Sequence, residues 1–222
     1  MVLPSSPLPN RAPSDPLGAL RERLDEVDLG LHHLMRERFE IVAKIGAVKG
    51  PSAPVIRPER EAAVIANQLA LDGGTAPREV VVHLWRVLIG AACAVQRPFA
   101  VHVAGTLDSA RFLYGPVSCT LNETAAGAVA RLASHPDDVA LVTGDEPWWE
   151  TRGAAHVVAS YHQSDGVTVF ALGGAGVSRS TGPLALLLAH GALREVDAGA
   201  VGARDDVLGL YPPFPLTIPV AR

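Results

Sequence analysis

No proline follows Pro16 until Pro51, and the residues between them carry one uninterrupted helical pattern. Asp15 is placed to cap the helix and Pro16 to occupy its first position, where a missing N–H costs nothing. Leu17, Leu20, Leu24, Val27, Leu31, Leu34, Ile41, Ile45 and Val48 recur at spacings of three and four, apart from one seven-residue gap that spans Arg38. That reads as a continuous apolar stripe interrupted by a cation. A helix of roughly 33 residues is about 50 Å long, whereas a hundred-residue globule has a radius of gyration near 13 Å, so the helix overhangs any domain built from the first hundred residues. Covering the stripe with a second copy is the simplest remedy, and an intertwined dimer is the expectation.

Gly50 to Pro54 breaks the pattern, and Pro58 opens a shorter helix through Ala62, Ile65 and Leu69 that closes at Asp72-Gly73-Gly74. A third helix is expected after Thr75, read as its cap, with Val81, Leu84, Trp85, Leu88, Ala92 and Val95 inward and an end at Gln96-Arg97-Pro98. From Pro98 the period changes. Phe99 to Val103, Val139 to Thr143, Ala155 to Tyr161 and Val167 to Leu172 read as strands. Thr120 and Glu123 read as a capping box for a helix over 124–134, and Gly182 to Gly191 as a further helical stretch. The predicted organisation is a Pro/Ser-rich tail at 1–14, an all-α three-helix domain at 15–97 and an α/β domain at 98–222.

With 48% hydrophobic and 19% charged residues, the chain has apolar material for a packed core. A net charge of -4 gives no overall attraction to nucleic acid or anionic lipid. The tail lacks the order of a secretory signal and no later apolar run reads as a membrane span, so a cytoplasmic location is expected. Cys93 and Cys119 have no ligand spacing and read as reduced and structural. None of the eight histidines, including His32-His33, His156 and His162, shows a metal-site spacing, and Gly173-Gly174-Ala175-Gly176 reads as a turn after a strand. No metal or cofactor is expected. Pro147-Trp148-Trp149 is either an aromatic platform or a buried inter-domain plug, the plug being favoured.

Chemistry concentrates in the helical part. Arg38 and Lys49 are eleven residues apart, three turns of a helix, and so share a face. Arg60 and Glu61 open the second helix and Gln96 closes the third. Three cations, a carboxylate and a neutral amide suit a small dianion that also carries a hydroxyl. Taken singly, each of these residues has an ordinary reading as a solvated helix face.

The sequence Leu20-Arg21-x-x-Leu24-x-x-Val27-Asp28, followed by Arg38, Lys49, Pro58-Glu59-Arg60-Glu61 and Gln96, resembles the all-helical chorismate mutases in order and spacing over residues 16 to 97. The resemblance implies an interlocked helical dimer whose sites each borrow Arg21 from the other chain. It further implies a cofactor-free [3,3] rearrangement of chorismate to prephenate. Arg21 and Arg38 would hold the two carboxylates, Lys49 and Gln96 would donate to the ether oxygen as its bond breaks, Glu61 would accept the substrate hydroxyl proton, and Arg60 would add positive field. The chain departs from the pattern at Arg57, where relatives often have Asp, and at Ala92, where some have a small polar residue. An isochorismate pyruvate lyase on the same scaffold and a non-catalytic metabolite sensor are the competing expectations. From Phe99 to about Leu193 the chain faintly resembles prephenate dehydratases, through Asp108-Ser109-Ala110 and Val139 to Thr143. It lacks their Thr-Arg-Phe signature, so a degenerate or regulatory domain is expected there.

Overall fold

The computed structural model describes residues 15–105 and 107–219; the tail at 1–14 lies outside them. Three helices come first: α1 (Pro16–Lys49), α2 (Pro58–Asp72) and α3 (Arg78–Gln96). The remainder alternates strands with short helices: β1 (Ala100–Val103), α4 (Leu107–Tyr114), β2 (Ser118–Leu121), α5 (Ala125–Ala130), β3 (Val139–Thr143), β4 (His156–Gln163), β5 (Thr168–Gly173), β6 (Leu184–Ala189), β7 (Ala192–Asp197), β8 (Asp206–Tyr211) and β9 (Thr217–Ile218). The chain is thus a helical segment followed by a sheet-rich α/β region. It divides into two compact units, Met1–Ile41 and Val42–Arg222.

Within the first unit, the described residues are the N-terminal turns of α1, one turn after another of solvated helix. Leu20, Leu24, Leu31 and Leu34 are between 52% and 69% exposed, so along the described residues of this unit the apolar stripe is open. Arg23–Glu26 and Arg36–Glu40 pair along the outside at 2.6 and 3.6 Å. Exposed pairs of this kind contribute a few tenths of a kcal/mol each, about 0.3 to 0.5, and do not offset an open apolar face.

The second unit is layered about a six-stranded sheet in the order β2-β1-β3-β5-β4-β9. β1 pairs parallel with β2 and β3, and β5 pairs antiparallel with β3 and β4. Alternate side chains go to opposite faces. Val101, Val103, Val139, Leu141, Val169 and Ala171 join Ile65, Val82, Ile89, Cys93, Leu113 and Tyr114 from α2, α3 and α4 in one core. Ala140, Val142, Phe170 and Leu172 form a second core with α5, Trp148 and a three-stranded sheet, β7-β6-β8. The small sheet approaches β4 closely, and a Cβ at Gly209 would run into the Val157 carbonyl.

Several expectations need correction. Gly182 to Gly191 is not helical: Leu184–Ala189 is strand β6, joined to β7 through His190 (φ 52°) and Gly191 (φ 78°). Two consecutive positive φ angles make the primed turn whose twist suits a two-residue hairpin, and a six-residue apolar run with no polar face is better buried as a central strand. Thr75 does not cap the third helix, which begins at Arg78 behind Pro77. Thr120 lies in β2, and the cap of α5 is Thr124, whose hydroxyl accepts from Gly127 N–H at 3.0 Å; the helix gives way to a 3-10 turn at Arg131–Ala133. The buried face of α3 is Val81, Val82, Arg86, Leu88, Ile89, Ala92 and Cys93, leaving Leu84 and Val95 about half exposed. That helix is also long and apolar enough to cross a membrane by length and composition alone; here it lies on the sheet with a buried arginine at its centre. Trp148 is a plug, but of the second core and not of a domain boundary, with its indole N–H donated to Thr143 O at 2.9 Å. Gly173 to Gly176 forms the expected turn, Val177 N–H closing onto Gly174 O at 3.0 Å. Cys93 and Cys119 are both free thiols.

Candidate functional site

Lys49, the last residue of α1, and Gln96, the last of α3, meet in one pocket of about 380 Å³ lined also by Gly46, Ala47, Gly50, Pro51, Val55 and Arg97. Gly46 makes the meeting close: a Cβ there would stand 3.1 Å from Gln96 Cγ and 3.3 Å from its Cα. Lys49 Nζ donates to Pro54 O at 3.3 Å and Gln96 Nε2 to Ala92 O at 3.2 Å. An ammonium has three N–H donors and a carboxamide two, so each retains donors for a ligand. Arg97 fixes the wall opposite: its guanidinium pairs with Asp137 at 2.8 Å and also binds the carbonyls of Pro51 and Ala53. A cationic residue and an amide residue therefore line one small space, and such a pair suits an oxygen gaining negative charge.

The other expected site residues are placed differently. Arg21 and Arg38 belong to the first unit; Arg21 is exposed, and the Arg38 guanidinium stands 5.8 Å from the centre of the Phe39 ring. Arg60 is exposed on the first turn of α2. Glu61 is not brought to Lys49 and Gln96. One carboxylate oxygen accepts from Arg57 N–H at 3.3 Å, closing the start of α2, and the other pairs with Arg86 at 3.0 Å.

That ion pair belongs to a polar cluster which the sequence reading missed. The side chains of Arg86 and Glu61 are 6% and 12% exposed. Arg86 Nε donates to Leu113 O at 2.9 Å, and its guanidinium stands 5.3 Å from the centre of the Tyr114 ring. Burial raises the hydroxyl pKa of Tyr114 and Tyr161 above the ordinary value, keeping both as neutral donors. These four residues line a second cavity of about 380 Å³, walled by Ile56, Ile65, Leu69 and Pro212 to Pro215. A signal for the cluster was in the sequence. Val82, Arg86, Ile89 and Cys93 follow each other at spacings of four, three and four, so Arg86 interrupts an apolar stripe just as Arg38 does. Glu59, next but one in α2, reaches the α/β region instead: it accepts from Ser180 Oγ and Thr181 Oγ1 at 3.3 and 2.7 Å. The Thr181 hydroxyl and N–H together hold its carboxyl below the usual range.

The helical segment thus ends two of its helices in a lysine and an amide that line one small pocket. Residues 20–97 match the family model described as chorismate mutase type II. A bifunctional chorismate mutase/prephenate dehydratase of Neisseria gonorrhoeae is 36% identical over 85 residues, which cover 38% of this chain and 23% of the relative. The corresponding bifunctional protein of Aquifex aeolicus is 31% identical over 94 residues, 40% of this chain and 26% of the relative. A 4-amino-4-deoxychorismate mutase of Streptomyces pristinaespiralis is 42% identical over 69 residues, 30% of this chain and 54% of the relative. The matched region thus spans about a quarter of the bifunctional relatives' length. No solved structure matches the chain.

Proposed function

We propose that this protein is a chorismate mutase whose helical segment converts chorismate to prephenate without a cofactor. The observation that carries the reading is the convergence of Lys49 and Gln96 on one pocket inside a segment of the matching family. The reaction breaks a carbon–oxygen bond and forms a carbon–carbon bond in a single cyclic shift of electrons, so no proton need move and no group is transferred. What a protein contributes is a folded substrate and donors for the ether oxygen. Lys49 and Gln96 are those donors. Arg38 holds one carboxylate, and Arg21, contributed by the second chain of a homodimer, holds the other. An acceleration of a millionfold requires about 8 kcal/mol from these effects together.

Dimerisation has independent physical support, since the exposed leucines of α1 form an apolar face that water solvates poorly. Arg60 and Glu61 are the proposed contacts to the ring side of the substrate; Glu61 takes that role only by releasing Arg86. The α/β half, residues 98–222, is assigned a non-catalytic part, and the whole is placed in the cytoplasm. The test is loss of chorismate and appearance of prephenate with purified wild type, Arg38→Ala and Lys49→Ala. The reading requires both variants to fall by 100-fold or more, the effect of losing one oxyanion donor being about 10²–10³. Equal rates in all three proteins refute it. Isochorismate and 4-amino-4-deoxychorismate, assayed alongside, distinguish a pyruvate lyase and an amino-substrate mutase on the same scaffold.

A further inference from the structure

We propose that His102, His135 and Asp138 form a binding site for a divalent transition-metal ion, with zinc the best match. One donor atom from each residue lies within 4.8 Å of the others. His102 projects from β1 and Asp138 immediately precedes β3, neighbouring parallel strands; their side chains are 7% and 10% exposed, with His102 Nε2 2.9 Å from Asp138 Oδ2. The carboxylate cannot swing away, because its other oxygen accepts the Ala100 N–H at 2.9 Å. His102 Nδ1 is itself buried with no hydrogen-bond partner among the described residues, so within them His102 is anchored on the side that faces Asp138.

His135 approaches from the turn after the short 3-10 helix, its ring centre 5.9 Å from that of His102. Its Nδ1 lies 3.2 Å from the Arg131 carbonyl. Ser134 Oγ stands 3.0 Å from the same nitrogen, and donation from Nδ1–H to these oxygens leaves the lone pair on Nε2, which is how ligating histidines are commonly oriented. With metal–ligand distances of 2.0–2.2 Å, tetrahedral ligands stand about 3.3 Å apart. The His102–Asp138 separation is already near that value, and His135, exposed on a turn, closes the remainder by a shift of about 1.5 Å. Two imidazoles and one carboxylate favour zinc, nickel or cobalt over magnesium or calcium, and the three-ligand set leaves a position on the solvent side for water or a small ligand.

Chain spacing hid this group, since 36 residues separate His102 from Asp138. Only the parallel pairing of β1 with β3, Val101 opposite Val139, brings them together. Bound metal would tie β1 and the start of β3 to the turn that follows the 3-10 helix after α5, so it should be seen in stability as well as in binding.

The experiment uses the full chain, stripped with chelator and dialysed, then titrated with zinc by calorimetry and with cobalt(II) by visible absorption. One equivalent should bind, cobalt should give the intense bands of a tetrahedral site, and the thermal midpoint should rise with zinc. His135→Ala removes an exposed ligand without opening the core. It should weaken binding by more than the roughly 10- to 100-fold that loss of an outer-shell partner costs, and abolish the thermal shift. His32→Ala/His33→Ala should change neither. The proposal is overturned if wild type takes up no stoichiometric zinc, if His135→Ala binds like wild type, or if binding follows His32 and His33 instead.

Discussion

The Glu61–Arg86 pair gives the sharpest test, because removing Glu61 produces opposite signatures under its two roles. If Glu61 serves the fold, Glu61→Ala leaves a guanidinium in a site where its side chain is 6% exposed. Breaking a buried pair from one side costs about 3 to 5 kcal/mol, since the surviving charge keeps its desolvation penalty. Arg86 retains the Leu113 carbonyl and the Tyr114 ring, which argues for the lower end. For a unit of this size, 1 kcal/mol moves the melting temperature by about 2–4 °C, so about 3 kcal/mol predicts a fall of about 6–12 °C. Glu61→Gln keeps an acceptor for Arg57 N–H and should lose less. Replacing both partners, as Glu61→Leu with Arg86→Met, should recover much of the loss, because two apolar groups have no charge to strand. Urea denaturation and thermal circular dichroism of wild type, Glu61→Leu, Arg86→Met and the double variant complete a double-mutant cycle, with Glu61→Ala and Glu61→Gln measured alongside. The reasoning is refuted if Glu61→Ala melts like wild type while kcat/KM collapses, for Glu61 then faces substrate and not Arg86.

Gly46→Ala should lower kcat more than it alters stability: the added Cβ presses on Gln96 at 3.1–3.3 Å, although alanine is favoured by about 1 kcal/mol in a helix interior. A gain in stability with unchanged kcat would contradict it. His156 is pushed below its ordinary pKa of 6.5 by burial first and the Arg179 charge second. The folded state therefore takes up its proton at lower pH than the unfolded state, so stability is full above pH 6.5 and declines as pH falls from there toward the depressed folded value. His156→Leu should flatten that decline in urea titrations. Glu59, held low by Thr181, contributes stability that is present above pH 4.5 and lost as pH falls through its folded value. Glu59→Gln should reduce the acid-side slope, measured by the same titrations. Activity should hold steady between mildly acidic and neutral pH, because Gln96 donates without having to be protonated; a steep loss in rate there would count against the site.

The helices were legible because they are local. The Asp15-Pro16 start, the seven-residue gap at Arg38 and the Asp72-Gly73-Gly74 stop each depend on neighbours within a turn or two, and α1 and α2 run as those signals direct. That Lys49 and Gln96 line one pocket was expected only from family likeness, since 47 residues separate them and the pocket depends on how closely Gly46 lets two helices approach. Failures cluster where an apolar segment had no polar face to orient it. Leu184–Ala189 carries no period, so only the positive φ angles at His190 and Gly191 and the strands on either side make it a strand. On α3 apolar residues stand on nearly every side, and the sheet beneath selects which of them are buried.

By itself, the sequence determined the long α1 with its open apolar stripe, the change of period at Pro98 and the charges on offer to a ligand. Tertiary structure alone decided how those charges are used. It puts Glu61 against Arg86 and His102 against Asp138, because a buried ionisable group must find a partner and partners are set by packing, not by spacing along the chain.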